Sequence, residues 1–358
     1  MRHLAALLLC LFVWTCAEAP EAAREPEVSA EMPLPPGSVY EGPAFEFEEV
    51  VPGIFHARGT GSLNVGSHGA VVVNDDHVLL VESHISPAAA RAAYDEVMEL
   101  TGKPLRYVVN THFHFDHAHG NSAYPDDVHV IGHEFTREMI ENGGSMGRSW
   151  ENFVGGLPDQ IARLADEVMR TDIEDERIEL EDQLAFLENY YASQEGLDPE
   201  SPNTTLSERM TLFAGDREIR ILFFGRGHTG GDVVVHLPGE RVLITGDLLL
   251  PRLPFMGDGY PGEWAETLEH LKGLEFDWVL PGHGDPFQDR AIIDHLQAYL
   301  RDFEERATAL HAQGLSYEEA AVQIDMTDHA ENYPQIIGPG VPAIAMQRMF
   351  DLLNGTAG

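Results

Sequence analysis

Phe45, Phe47 and Val50 are spaced by glutamates, and this near-alternation predicts a strand. Two short apolar runs follow, Val65–Val73 and His77–Val81, separated by the turn-forming Asn74-Asp75-Asp76. A helix comes next with both ends marked: Ser86 caps it, Pro87 takes the first helical position, and Gly102 with Pro104 stops it. Leu105–Val109 reads as a buried strand, 128–131 as another, and 133–142 as a helix. From about 143 to 207 the chain is acidic and helical in character with few strand signals. It reads as an insertion that either borders the site or decorates the surface. Strand patterns resume at Arg209–Phe213, Glu218–Phe224, Val233–Leu237 and Arg241–Thr245. A helix at Glu263–Gly273, a strand at Trp278–Leu280 and a helical tail from Asp289 complete the pattern. Strands and helices alternate in two halves that mirror each other. The expectation is an α/β protein with two face-to-face sheets and helices outside.

The first residues do not belong to this pattern. Arg2 precedes an apolar run from Leu4 to Thr15, the length of a signal-peptide core and too short to span a bilayer. Residues 1–16 are therefore expected to be a signal peptide. Both cysteines, Cys10 and Cys16, fall inside it, so a cleaved chain has no disulfide and no thiolate ligand. Val13-Trp14-Thr15-Cys16 resembles a bacterial lipobox, although Trp14 and Thr15 replace small residues. Lipidation of Cys16 and ordinary secretion both stand as readings, and the expected location is the periplasm or the outer membrane or cell surface as a lipoprotein. Residues 17–43, rich in Glu, Ala and Pro, read as a flexible linker. The folded domain is expected over 44–290, and a helical C-terminal extension over 291–358.

Charge removes one class of partner. With 60 acidic against 22 basic residues the net charge is -38, and Lys103 and Lys272 are the only lysines. Phosphate backbones are bound by Lys and Arg, so nucleic acid is not an expected partner and a small-molecule substrate is. Oligomeric state is not legible.

The chemistry concentrates at Thr111-His112-Phe113-His114-Phe115-Asp116-His117. In an extended segment, side chains two apart face the same way, so His112 and His114 are expected to grip one metal, with Asp116 and His117 directed to a neighbouring position. Imidazole nitrogen and carboxylate oxygen at short spacing suit zinc, with iron or manganese as alternatives. His228 in Gly227-His228-Thr229, Asp247 in Thr245-Gly246-Asp247 and His283 in Pro281-Gly282-His283-Gly284 each follow an apolar strand, which places them along one rim.

In order and character these motifs resemble the metallo-β-lactamase superfamily across about residues 50–290. The resemblance implies an αβ/βα sandwich of two mixed sheets with metals in a cleft at the sheet edges. It also implies that His112, His114 and His228 hold one metal, that Asp116, His117 and His283 hold a second, and that Asp247 bridges them. β-Lactamases with a cysteine ligand carry it where Asp247 stands, so this chain is more similar to the glyoxalase II type and to generic hydrolases of the superfamily. The implied activity is a metallo-hydrolase in which a hydroxide shared by two zincs cleaves an ester, thioester, lactone or β-lactam. Asp116 is expected to act directly in catalysis by orienting that hydroxide. The alternatives are an iron-dependent oxidoreductase similar to persulfide dioxygenases, and a class B-like β-lactamase proper.

Several residues carry weaker expectations. His119 reads as a surface or supporting residue, and Glu82 stands near the place where the family usually has aspartate. His68 and Asn64 sit in a glycine-rich stretch that suggests a hairpin by the cleft. Asp232 either orients a ligand or makes a turn, and Arg252 is not expected to meet substrate.

Overall fold

The computed structural model describes residues 34–356. The signal-like residues 1–16, with Cys10 and Cys16, lie outside the described residues, as does the linker stretch 17–33. Of the described residues 35–43, expected as part of the same flexible linker, Pro36, Val39 and 41–43 are exposed, but the stretch touches the body at a few points. Gly37 is buried against Ser193, and Val39 donates its N–H to Asn189 Oδ1 at 3.3 Å. No helix among the described residues is long and apolar enough to cross a membrane.

The first half opens with β1 (Phe45–Val51), β2 (Ile54–Gly59), β3 (Gly69–Val73) and β4 (Val78–Val81), then α1 (Pro87–Thr101) and β5 (Leu105–Val109). A single helical turn, α2 (Phe115–Ala118), precedes β6 (His129–His133) and α3 (Glu134–Glu141). Next come α4 (Arg148–Phe153), α5 (Leu157–Arg170), α6 (Glu174–Gln194) and β7 (Thr204–Leu206). The second half runs through β8 (Arg209–Ala214), β9 (Arg217–Phe223), β10 (Val233–Leu237), β11 (Val242–Gly246), α7 (Pro261–Leu271) and β12 (Trp278–Pro281). It closes with α8 (Ala291–Ala312), α9 (Tyr317–Gln323) and α10 (Ala343–Asn354).

The strands form a seven-stranded sheet ordered β1-β2-β3-β4-β5-β6-β7 and a five-stranded sheet ordered β12-β11-β10-β9-β8. Both are mixed. The first is antiparallel through β4 and parallel from β4 to β7, and in the second only β11 and β12 run parallel. The two sheets face each other through an apolar layer that includes Val72, Leu79, Val81, Val109, Ile221, Val235 and Ile244. Strands buried on both faces are mostly apolar, which is why β4 is all Val and Leu and why Val, Leu and Ile dominate β10 and β11, interrupted only by His236 in β10 and Thr245 and Gly246 at the end of β11. Outside, α1 covers the first sheet through Ala89, Ala93 and Val97. Helices α7, α8 and α10 cover the second through Leu268, Phe303 and Met346. The architecture is the expected αβ/βα sandwich.

Element ends follow the sequence punctuation. Ser86 Oγ accepts the Ala89 N–H at 3.2 Å, and Gly102 closes α1 in the left-handed conformation at φ 65°. The glycine-rich stretch before Gly69 is the connecting loop of the antiparallel β2–β3 hairpin, and its backbone reaches across to the other sheet: the His68 N–H donates to Gly282 O at 2.7 Å. One expectation needs correction. Within 143–207, the three-residue β7 pairs in parallel with β6 and ends the sheet.

Candidate metal centre

Five strand ends deliver the polar residues to one edge of the sandwich. Glu82 follows β4, His112–His117 follow β5, His228 lies between β9 and β10, Asp247 follows β11, and His283 follows β12. The segment carrying His112 and His114 is not extended, as the sequence reading had it. His114 is the N-cap of α2, and that helical turn carries Asp116 and His117. The loop is bent because Asn110 reaches across it, donating from Nδ2 to His117 O at 3.2 Å.

All seven residues singled out from the sequence converge. Ligand-capable atoms of His112, His114 and His228 lie within 4.8 Å of one another, as do those of His112, His117 and Asp247, and those of Asp116, His117 and His283. Asp116 Oδ2 is 3.1 Å from His283 Nε2 and 3.5 Å from His117 Nε2. Asp247 spans the groups, with Oδ1 3.5 Å from His117 Nε2 and Oδ2 3.5 Å from His283 Nε2 and 3.7 Å from His228 Nε2. Two glycines permit this crowding. A Cβ on Gly282 would strike Asp247 Oδ1, and one on Gly246, at φ 52°, would strike Thr111 Oγ1.

The hydrogen bonds around the cluster point lone pairs inward. Thr111 Oγ1 donates to Glu82 Oε1 at 2.6 Å, so it receives the proton of His112 Nδ1, 3.0 Å away, and His112 Nε2 keeps a free lone pair. His114 Nε2 lies 3.1 Å from Asp258 Oδ2, which fixes that proton outward and leaves Nδ1 facing His228 Nε2 at 3.0 Å. With the His228 proton on Nδ1 instead, both of these nitrogens would present lone pairs that one cation could share. His112 Nε2, His117 Nε2 and Asp247 Oδ1 are buried with no protein partner. Polar atoms buried in this way are costly unless something binds them, so the donor set fits divalent metal ions.

The electrostatics agree. Burial, helped by the neighbouring His117, His114 and His228, holds His112 far below the usual imidazole value. Burial pushes His228 down to about 3. Burial opposes ionisation of Asp116, yet the His117 and His283 rings outweigh it and hold the carboxyl well below its usual range. Burial opposes protonation of His117 and His283 too, but the Asp116 and Asp247 carboxylates outweigh it and raise both rings, so the metal-free site pairs neutral His112 and His228 with ionised carboxylates and two rings whose protons a metal ion would displace.

The supporting residues differ in part from expectation. Glu82 is buried, adopts a left-handed backbone at φ 77°, and accepts both the N–H and the O–H of Thr111. Its longer side chain fills the supporting place where the family usually has aspartate. His119, read as a surface or a supporting residue, is not at the surface: it is fully buried beside Phe115, and burial lowers it to about 3. His68 Nδ1 sits 3.0 Å from Gly284 O and braces the His283 loop, while Asn64 Oδ1 accepts the Gly66 N–H within its own loop. Asp232 accepts the N–H and O–H of Thr229 at 2.7 Å and so makes the turn that presents His228. Asp258 was not legible in the sequence. It stands between glycines that Arg148 and Arg348 grip: Arg148 Nη1 donates to Gly257 O at 2.7 Å and Arg348 Nε to Gly259 O at 2.9 Å.

A cavity of about 510 Å³ opens above the cluster. Its floor includes His114, Asp116, Asp247 and His283. Ser149, Phe153 and Tyr190 reach it from α4 and α6, so the 143–207 stretch borders the site. Arg252, not expected to meet substrate, also lines it.

Comparison with known proteins gives concordant findings. The profile of the metallo-beta-lactamase superfamily matches residues 63–283. A type 2 metallo-beta-lactamase from Elizabethkingia meningoseptica is 25% identical over 111 residues, 29% of this chain and 44% of that protein. A linear primary-alkylsulfatase from Pseudomonas sp. is 23% identical over 280 residues, 72% of this chain and 49% of that protein. The chain thus spans about half the length of the curated relatives it matches. Among solved structures, a stereoselective inverting sec-alkylsulfatase from Pseudomonas sp. superimposes with a TM-score of 0.60 at 17% identity, covering 86% of this chain and 50% of that one. At that identity the likeness concerns the fold.

Proposed function

The chain belongs to the metallo-beta-lactamase superfamily, and we propose that it is a two-zinc hydrolase of carboxyl derivatives: an ester, thioester, lactone or β-lactam. The observation that supports this most is the set of buried, unpartnered nitrogen and oxygen atoms on His112, His117 and Asp247, flanked by the facing His114 and His228 rings. His112, His114 and His228 would hold one ion, Asp116, His117 and His283 the other, and Asp247 both. When bound, two such ions supply a Lewis acid for the scissile carbonyl and lower the pKa of a water toward about 7.

The chain's own groups do the rest. The Asp116 carboxylate stays ionised and accepts a proton-bearing hydrogen bond from the attacking water, fixing its direction. Asp258 and Thr111 hold the His114 and His112 rings in one tautomer. The apolar cavity walls exclude bulk water, which strengthens every charge interaction on the floor. Export, with a lipidated or a free N-terminus, is part of the same proposal and rests on residues 1–16.

A second reading is cleavage of a sulfate ester. It is favoured by the alkylsulfatase match, which extends over 72% of the chain against 29% for the lactamase. Elemental analysis of the purified protein, with assays of a chromogenic cephalosporin, a lactone, a thioester and an alkyl sulfate, separates these readings. The expected result is about two zincs per chain, with turnover that chelator and His114→Ala both abolish. Bound iron, oxygen consumption and no hydrolysis would replace the proposal with the oxidoreductase alternative.

A further inference from the structure

The cavity wall above the metal-ligand floor is out of keeping with the rest of the chain. The protein carries 60 acidic residues, yet among the described residues no carboxylate lines this cavity apart from Asp116 and Asp247 on the floor, and Arg252 is its one basic side chain apart from histidines. The wall is aromatic and aliphatic instead. The His114 ring lies 5.7 Å from Phe255, Phe255 lies 5.7 Å from Phe153, and Phe153 lies 6.2 Å from Phe115. These rings form a continuous strip from a candidate ligand to the mouth. Leu253 and Pro254 extend it on the loop side. The strip is assembled from three separate segments: α2, α4 and the 250–255 loop. Its outermost member, Phe153, is 55% exposed. The part of this ring left in water at the rim of the cavity gains nothing from folding, and it gains contact area only when something apolar lies against it.

We infer that the substrate is amphiphilic: the reacting group sits on the ligand floor, and an apolar chain or ring lies along Phe255, Phe153 and Phe115. A cavity of about 510 Å³ is in the range that encloses a whole small ligand, so the apolar part contributes to recognition rather than trailing in solvent. The inference rests on the hydrolase reading for the identity of the reacting group, but the apolar subsite is testable without turnover.

The test is binding of straight-chain alkanoates. Hexanoate, octanoate and decanoate share one headgroup, so differences among them report the chain alone. Titration calorimetry on the full-length protein should show Kd tightening by about fourfold per added methylene until the wall is covered. Phe153→Ala should cut that increment to about twofold or less, and Phe153→Glu, which places a charge on the strip, should remove it. Phe153 is exposed, so neither change threatens the fold. A flat series in the unmodified protein overturns the inference. So does an increment that both variants leave intact, because the chain would then be binding elsewhere, as in the second apolar cavity behind Leu253 and Pro254. The parallel kinetic series uses 4-nitrophenyl esters from acetate to decanoate. Chain-length-dependent binding with no turnover of any ester upholds the apolar subsite and sinks the hydrolase reading. Turnover indifferent to chain length, with flat binding, does the reverse.

Discussion

Asp258 offers the sharpest test of how the centre is held. Its Oδ2 lies 3.1 Å from His114 Nε2, and its side chain is only 19% exposed, so it is largely shielded from solvent. Asp258→Ala removes the acceptor that keeps the His114 proton on Nε2. The ring is then free to place that proton on Nδ1, the atom now facing His228. Losing a partner of this kind weakens metal binding by about 10–100-fold, or roughly 1.4–2.7 kcal/mol. Asp258→Asn keeps an acceptor oxygen without the charge and should fall at the lower end. The assay is competition for zinc against a chromophoric chelator, read as a dissociation constant and independent of any substrate. A melting curve of the metal-free variants controls for damage to the fold. If both variants retain zinc within about twofold of the parent, the orienting role is wrong.

Three further outcomes follow from the same geometry. Gly282→Ala forces a methyl group onto Asp247 Oδ1 and to within 2.8 Å of His117 Cε1. It should destabilise the protein by about 1–3 kcal/mol and lower metal stoichiometry, and full metal content by elemental analysis would contradict this. Trp264 is fully buried, donates Nε1–H to Leu248 O at 3.0 Å and packs 5.4 Å from the His228 ring. Trp264→Ala should cost about 3–5 kcal/mol in a urea titration. His56 is buried with Nε2 unpartnered, and burial lowers it to about 4 from 6.5. The unfolded chain therefore binds the extra proton first, so this contribution is complete above pH 6.5 and drains away as pH falls toward 4. Across that window stability should fall less steeply in His56→Phe, by up to about 1.4 kcal/mol per pH unit. Identical slopes would show that His56 does not titrate this way.

Much of the site was legible because its chemistry is local. His112, His114, Asp116 and His117 are neighbours in sequence, and glycine turns after apolar strands marked His228, Asp247 and His283. The two-sheet architecture was legible from the short, largely apolar runs of β4, β10 and β11. What escaped was non-local or too short to pattern. Asp258 meets His114 from a loop 144 positions away, and a single aspartate between glycines looks like any turn. β2 mixes His56 and Arg58 among its apolar residues and shows no clean alternation. The three residues of β7 fall below the length at which periodicity has meaning. For His119 the sequence left a surface and a supporting role open, and only burial within a crowded helical turn removes the first. The bent course at His112–His114 arises from Asn110 and α2 capping, which residue spacing alone does not encode.

Arg148 and Arg348 also set an order of events. Arg348 belongs to α10 and is synthesised after every residue of the metal cluster, yet it holds the loop that carries Asp258. Arg148 joins the same clamp by pairing with Asp351 at 2.8 Å. A chain still lacking its last helix has all seven candidate ligands but not the brace that sets the His114 tautomer. Any metal held by these ligands is therefore expected to be retained tightly only once α10 has docked on the Asp258 loop.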